Sequence, residues 1–301
     1  MLKTIHSHHL GWNSTQAPQI EIAPGDSLEL KLQDASGNRV DKDADAGIIA
    51  SLKPENANPL TGPVWIDGAE PGDTLVVDIL DFAHSDFGWT ALIPGFGLLA
   101  KQFVRPFLHI SEYDAGHIRF TPDIILPTRP FAGTIGVCPS GQETLGAIPP
   151  HQCGGNMDFK SLTAGSRLYF PVQVPGALFS AGDGHAAQGD GEVCGTAVET
   201  QLSMGVTFSL LKNMSLPAPK AEIQVSRYAD DHLVTTGIAP DLMQASQEAV
   251  SYMIDELVRR YGLSAELAYC LCSCAADLRI AELVNAPNWT VACCLPLSIF
   301  R

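Results

Sequence analysis

The sequence predicts a mainly β fold, a sandwich or barrel-like body, with an α+β part at its C-terminal end. Three observations carry this. Short stretches alternate apolar and polar residues with period two, the spacing of strands that bury one face. Gly and Pro number 27 and 21 among 301 residues, enough to cut the chain into many short elements joined by turns. Past Pro240 the apolar spacing changes to that of a helix.

Taken in order, Pro24-Gly25-Asp26 turns the chain into a strand over Ser27 to Gln33, where Leu28, Leu30 and Leu32 alternate with Glu29 and Lys31. Pro71-Gly72-Asp73 repeats the device ahead of Thr74 to Asp81, with Leu75, Val77 and Ile79 on one face. Ile135 to Cys138, Leu168 to Val174, Val193 to Leu202, Gly205 to Leu211 and Ala221 to Ser226 read as further strands. Pro171 demotes the second of these to an edge. Leu242, Ala245, Ala249, Met253, Leu257 and Tyr261 follow helical spacing, with Pro240 near the start and Gly262 at the stop. A second helix from Ser264, carrying Cys270, Cys272 and Cys274, and a closing strand Trp289 to Leu295 complete the C-terminal unit. The expected division is a β-rich domain over residues 1–215 and an α+β part over 216–301 packed against it, with Pro217 and Pro219 at the join.

Composition excludes several partners. With 46% apolar and 17% charged residues the chain is globular rather than disordered. Eighteen basic against 33 acidic residues give a net charge of −15, which repels phosphate backbones and anionic lipid, so neither nucleic acid nor membrane is expected as a partner. No apolar run reaches the roughly 18 residues of a membrane-spanning helix. The polar opening Met1 to Leu10, with His6, His8 and His9 in a solvated stretch, predicts a cytoplasmic protein. The eight cysteines are dispersed and read as reduced, buried thiols, because Cys-x-Cys-x-Cys lacks the Cys-x-x-Cys spacing of structural zinc sites.

The densest polar segment is Gly182-Asp183-Gly184-His185-Ala186-Ala187-Gln188-Gly189-Asp190-Gly191-Glu192-Val193-Cys194-Gly195, with Glu199 beyond it. On an extended backbone Asp183 and His185 share a face and can reach one cation, and the Gly189-Asp190-Gly191 turn brings Glu192 back towards them. A plain hairpin, with Asp190 in an Asx turn, is the bland reading. Val193, Ala197 and Val198 weaken it by signalling burial beside carboxylates that are expensive to bury unpaired. Cys153-Gly154-Gly155-Asn156-Met157-Asp158 has the same grammar, offering Asn156 and Asp158 at i, i+2, and the two segments together make a mixed N/O site suited to zinc or another divalent ion. His84 with Asp81 and Asp86 reads as a solvated strand end, and the acidic run Asp41 to Asp45 as a charged turn without the spaced ligands of a calcium loop.

These two segments resemble the acetamidase/formamidase family. Asn58-Pro59-Leu60-Thr61-Gly62-Pro63-Val64, Gly68 to Leu75, Ile93-Pro94-Gly95-Phe96-Gly97 and Ala276 to Ile280 resemble it too, so the similarity spans most of the chain. The resemblance implies hydrolysis of short aliphatic amides to carboxylate and ammonia, in homo-oligomers, with a divalent metal at the site: zinc first, calcium or another divalent ion as alternatives. Two departures stand out. Gln152 and Cys153 separate His151 from Gly154, where members often place His directly, and Phe159 stands where Cys is common. On this reading Asp158, Asp183 and His185 ligate the metal, Glu192 or Glu199 moves the proton, Asn156 orients the carbonyl, and Asp190 belongs to the catalytic set. The metal would activate a water as the nucleophile. An alternative makes Cys194 a thiolate nucleophile with Glu192 or His185 as base; another is a non-catalytic binder of a small ligand on the same fold. Phe159 and Phe170 beside the glycine-rich loops, and no basic residue between Gly182 and Gly195, predict a small pocket unsuited to carboxylates.

Overall fold

Alternation does set the strands of the first half. In Ser27–Leu32 the three leucines are buried while the residues between them stay half-exposed. The structure, a computed structural model, describes every residue except 1, 142, 225–230, 264, 266–267, 269–275, 298–299 and 301. Among the described residues Ser27–Leu32 pairs with Leu202–Leu211, which pairs in turn with Thr74–His84, all antiparallel. This nine-stranded sheet continues through Arg167–Pro171, Lys220–Gln224, Asp231–Ala239 and Trp289–Pro296 to Asp277–Glu282. Strands from both sides of residue 215 therefore share one sheet.

A second sheet of eleven strands has Phe179–Ala187 near its middle, flanked by Phe131–Gly136, Leu60–Ile66 and the short Val198–Glu199. One cluster of buried side chains joins Leu28, Leu75 and Val77 of the first sheet to Val64, Ile135 and Phe179 of the second, the packing of a sandwich. The mainly β class with an α+β C-terminal part is thus the observed one.

Helix Leu242–Tyr261 begins with the Asp241 carboxylate accepting from the Gln244 N–H at 2.8 Å and stops at Gly262, which is left-handed. It buries Ala245, Ala249, Met253 and Leu257 against Leu233, Val291 and Leu295. The approach is close because Gly237 lies beneath it; a Cβ there would sit 1.9 Å from the Ala245 carbonyl. Among the described residues no helix is long and apolar enough to cross a membrane.

Several expectations are corrected. Val193 to Leu202 is not a strand: Asp190 to Gly195 turns through positive φ at Gly191, Glu192 and Gly195, and Val193 is 57% exposed. Only Val198–Glu199 is extended before Leu202–Leu211 begins. His8–His9 is a short strand paired with Leu60–Ile66; His6 and His8 are exposed as expected, while His9 is half-buried. The second helix expected from Ser264 and its run of Cys270, Cys272 and Cys274 fall largely outside the described residues. Cys138, Cys153, Cys194 and Cys294 are free thiols, and burial pushes Cys153 and Cys294 up to about 12.

Candidate active site

Two strand pairings assemble the site. His185 of Phe179–Ala187 stands directly opposite Glu199, so both side chains leave the same face of the sheet. On the other flank the register runs Ala132 to Gly184 and Thr134 to Gly182, skipping Gly133 opposite Asp183, whose φ is 59°. Asp158 follows the short strand Gly154–Asn156 with φ 46°, and its N–H donates to the Gly133 carbonyl at 3.2 Å. Gly133 is the floor of the resulting cradle. A Cβ at this position would lie 2.6 Å from Asp158 Oδ1, 2.7 Å from Asp183 Oδ2 and 2.7 Å from His185 Cε1.

Four ionisable groups meet there, all essentially shielded from solvent. His185 Nε2 lies 3.3 Å from Asp183 Oδ1 and 3.3 Å from Glu199 Oε2, while Nδ1 lies 3.8 Å from Asp158 Oδ1. A single ring N–H cannot serve two carboxylates, and these ring nitrogens and oxygens have no hydrogen-bond partner of sound geometry. Among the described residues no lysine or arginine pairs with them. Burial pushes the Asp158 carboxyl well above its ordinary value against the pull of His185, and the neighbouring carboxylates of Asp183, Glu282 and Glu199 add to the rise. Burial raises Asp183 to about 6 against the same pull. For His185 burial disfavours the imidazolium, but the charges of Glu199 and Asp183 hold it well above the usual range.

Amides that sequence reasoning did not single out fix these carboxylates. Asn58 Nδ2 donates to Asp183 Oδ2 at 2.8 Å and to Asn156 Oδ1 at 3.0 Å, and Asn285 Nδ2 donates to Asp158 Oδ2 at 2.6 Å. Thr134 Oγ1 also donates to Asn156 Oδ1. With its oxygen so occupied, Asn156 keeps its Nδ2 hydrogens for another acceptor. The Glu282 carboxylate accepts the N–H groups of Val284 and Asn285 at 3.0 Å, tying the C-terminal part to the site. Burial raises Glu282 to about 7. The signal for Asn58 was present, since it opens one of the family-like stretches; Asn285 lies in no patterned segment.

The remaining candidates divide. Donor atoms of His185, Glu192 and Glu199 lie within 4.8 Å of one another, as do those of Asp158, Asp183 and His185. Burial, with Asp158 nearby, pushes Glu192 well above the ordinary carboxylate range. Asp190 is elsewhere: its two oxygens both accept from Arg279 Nη2, at 2.9 and 3.0 Å, and Lys160 Nζ lies 3.2 Å away. His151 packs against Trp12 outside the cluster, its imidazole pushed down to about 4 by burial, and His84 is an exposed strand end. Cys194 is half-buried, with Sγ 3.4 Å from the Thr196 carbonyl, and faces a neighbouring cavity that Glu192 also lines.

The site opens into a cavity of about 580 Å³ whose polar floor is Asn58, Asn156, Asp183, Glu192, Glu199 and Asn285. Its walls are apolar, from Ile49, Leu52, Trp89, Ile93 and Phe96, and Arg39 and Lys53 also line it. Phe159 and Phe170 are instead in the core.

The acetamidase/formamidase family model matches residues 3–145 and 141–301. The chain belongs to the acetamidase/formamidase family. A formamidase of Methylophilus methylotrophus is 25% identical over 97% of this chain and 89% of its own length. An acetamidase of Bacillus halodurans superimposes with a TM-score of 0.91 at 28% identity, covering 100% of this chain and 98% of that one. An acetamidase from Yersinia enterocolitica gives 0.90 at 30% identity over 99% and 93% of the two chains. The chain is accordingly a hydrolase of carbon–nitrogen bonds in linear amides.

Proposed function

We propose that this acetamidase/formamidase family member hydrolyses short linear amides, of the formamide and acetamide kind, to carboxylate and ammonia with a divalent cation held in the buried cluster. The observation that carries the cation is the set of converging, buried and unpartnered atoms: Asp158 Oδ1, Asp183 Oδ1, His185 Nδ1 and Nε2, and Glu199 Oε2. Burying such charge without a counterion or shared protons is expensive, and the missing Cβ of Gly133 keeps the space open. Asp158, Asp183 and His185 would hold the ion, with Glu199 as a further donor. The imidazole among these donors favours zinc over calcium.

A bound divalent ion polarises an amide carbonyl and makes water nucleophilic near neutral pH. The chain's own residues supply the rest. Asn156 Nδ2 donates to the substrate carbonyl oxygen. Glu192, on the cavity floor beside the cluster, accepts a proton from the attacking water and returns it to the leaving nitrogen, so that amide and water become carboxylate and ammonia. Asn58 and Asn285 keep Asp183 and Asp158 from turning away.

We further place the enzyme in the cytoplasm, which its free thiols support, and in an assembly of identical chains, which exposed Leu98, Leu99, Phe103, Val104 and Phe107 support. Ammonia release from acetamide by protein purified without chelator tests the reaction. Chelation is expected to abolish it and a divalent ion to restore it; full turnover by protein shown to be metal-free overturns the cation's role.

A further inference from the structure

The cavity is far larger than the reaction's smallest substrates require. Acetamide carries a single methyl beyond its amide group, whereas about 580 Å³ lies within the roughly 300–1,000 Å³ of pockets that enclose drug-sized ligands. Ile49, Leu52, Ile93 and Phe96 wall it, and such a surface discriminates by the length of an apolar chain laid against it.

Charge is distributed along it unevenly. The floor holds the carboxylates of Asp183, Glu192 and Glu199. The two basic residues lining the cavity, Arg39 and Lys53, are both exposed, and in a chain of net charge −15 neither has a carboxylate partner among the described residues. Arg39 is held by neutral acceptors, donating from Nε to the Ser36 carbonyl at 2.7 Å and from Nη1 to the Ser51 carbonyl at 3.2 Å, which leaves Nη2 unused. The expectation of a pocket that rejects carboxylates rests on the segment 182–195; the cations come from residues far from it in sequence. A ligand bearing an amide at one end and an anion at the other has one favourable orientation here, its anion repelled from the floor and received at the rim.

We infer that the preferred substrates of this site are amides longer than acetamide whose apolar acyl chain ends in an anionic group such as a carboxylate, received by Arg39 and Lys53. This rests on the amidase reading above. The test is kcat/KM for ω-carboxy primary amides of increasing chain length, each beside its uncharged methyl-terminated counterpart, on metal-replete protein. The carboxy-amide is expected to exceed both acetamide and its counterpart at one length, by about 1.4-fold to fivefold for each rim cation, the range of exposed ion pairs. Lys53→Gln, and Arg39→Gln with it, should bring the ratio of the two amides towards unity. That ratio is taken on one preparation, so a loss of folded protein cancels. The advantage should also fall as salt is raised. Equal rates for carboxy- and methyl-terminated amides at every length, or an advantage that survives both substitutions, overturns the inference while turnover of acetamide leaves the amidase reading standing. Ammonia from none of the amides overturns both.

Discussion

At the scale of single residues, the arrangement separates the imidazole from the thiol. His185→Ala removes a donor from the centre of the cluster and should lower metal content and turnover together, whereas Cys194→Ser alters a group facing another cavity and should keep most of its turnover. Folded Cys194→Ser protein with its metal but without activity, beside an active His185→Ala, would restore the thiolate mechanism. Gly133 offers a sharper probe. A methyl group there meets Asp158, Asp183 and His185 at 2.6 to 2.7 Å, so Gly133→Ala should cost about 1–3 kcal/mol of stability and at least tenfold in metal affinity, read by chelator competition. Wild-type affinity in that variant would show that the cradle does not hold the ion. The sequence made Asp158, Asp183, His185 and Glu199 legible because they sit in or beside two glycine-rich segments. Asn58, Thr134 and Asn285 were not legible as partners, because strand pairing, not local spacing, brings them to the same carboxylates.

The elements differ in how readily they can be read, and burial explains the difference. Ser27–Leu32 announces itself by alternation because one face meets polar surroundings, and helix Leu242–Tyr261 by its single buried stripe. Phe131–Gly136 is buried at every position and Phe179–Ala187 at all but its last, so the strands that build the site carry no period-two signal. The helix makes its own prediction. Burial tends to raise the Glu256 carboxyl, but Arg259 and Lys220, at 2.6 and 2.8 Å, outweigh it and hold it at about 2 against an ordinary 4.5. A carboxyl depressed on folding stabilises fully above its unfolded value and loses that contribution as pH falls towards the folded one. Glu256→Gln should therefore destabilise the protein near neutrality, leaving Lys220 buried without its counter-charge, and the gap to wild type should close as pH falls from about 4.5 towards 2. Urea midpoints across that range measure it; a gap independent of pH would deny the ion pair its part.

For the whole molecule, the sandwich class was legible from turn density and alternation, while the sharing of a sheet across residue 215 was not, because pairing between distant strands leaves no local mark. Exposed Phe103, Val104 and Phe107 predict that light scattering gives a mass several times that of one chain and that Phe103→Asp with Val104→Lys lowers it. A wild-type monomer at all concentrations would count against assembly. A last consequence follows from the backbone of Asn58, Asp158, Asp183 and Glu192, which all have φ between 45° and 59°. Left-handed geometry costs a residue with a side chain about 1–2 kcal/mol, least for Asn and Asp, so these parts of the candidate site are held in place by the rest of the fold rather than by their own preference. Breeding this protein for heat resistance alone would reward relaxation at those positions first, and the most durable descendants would be the poorest catalysts.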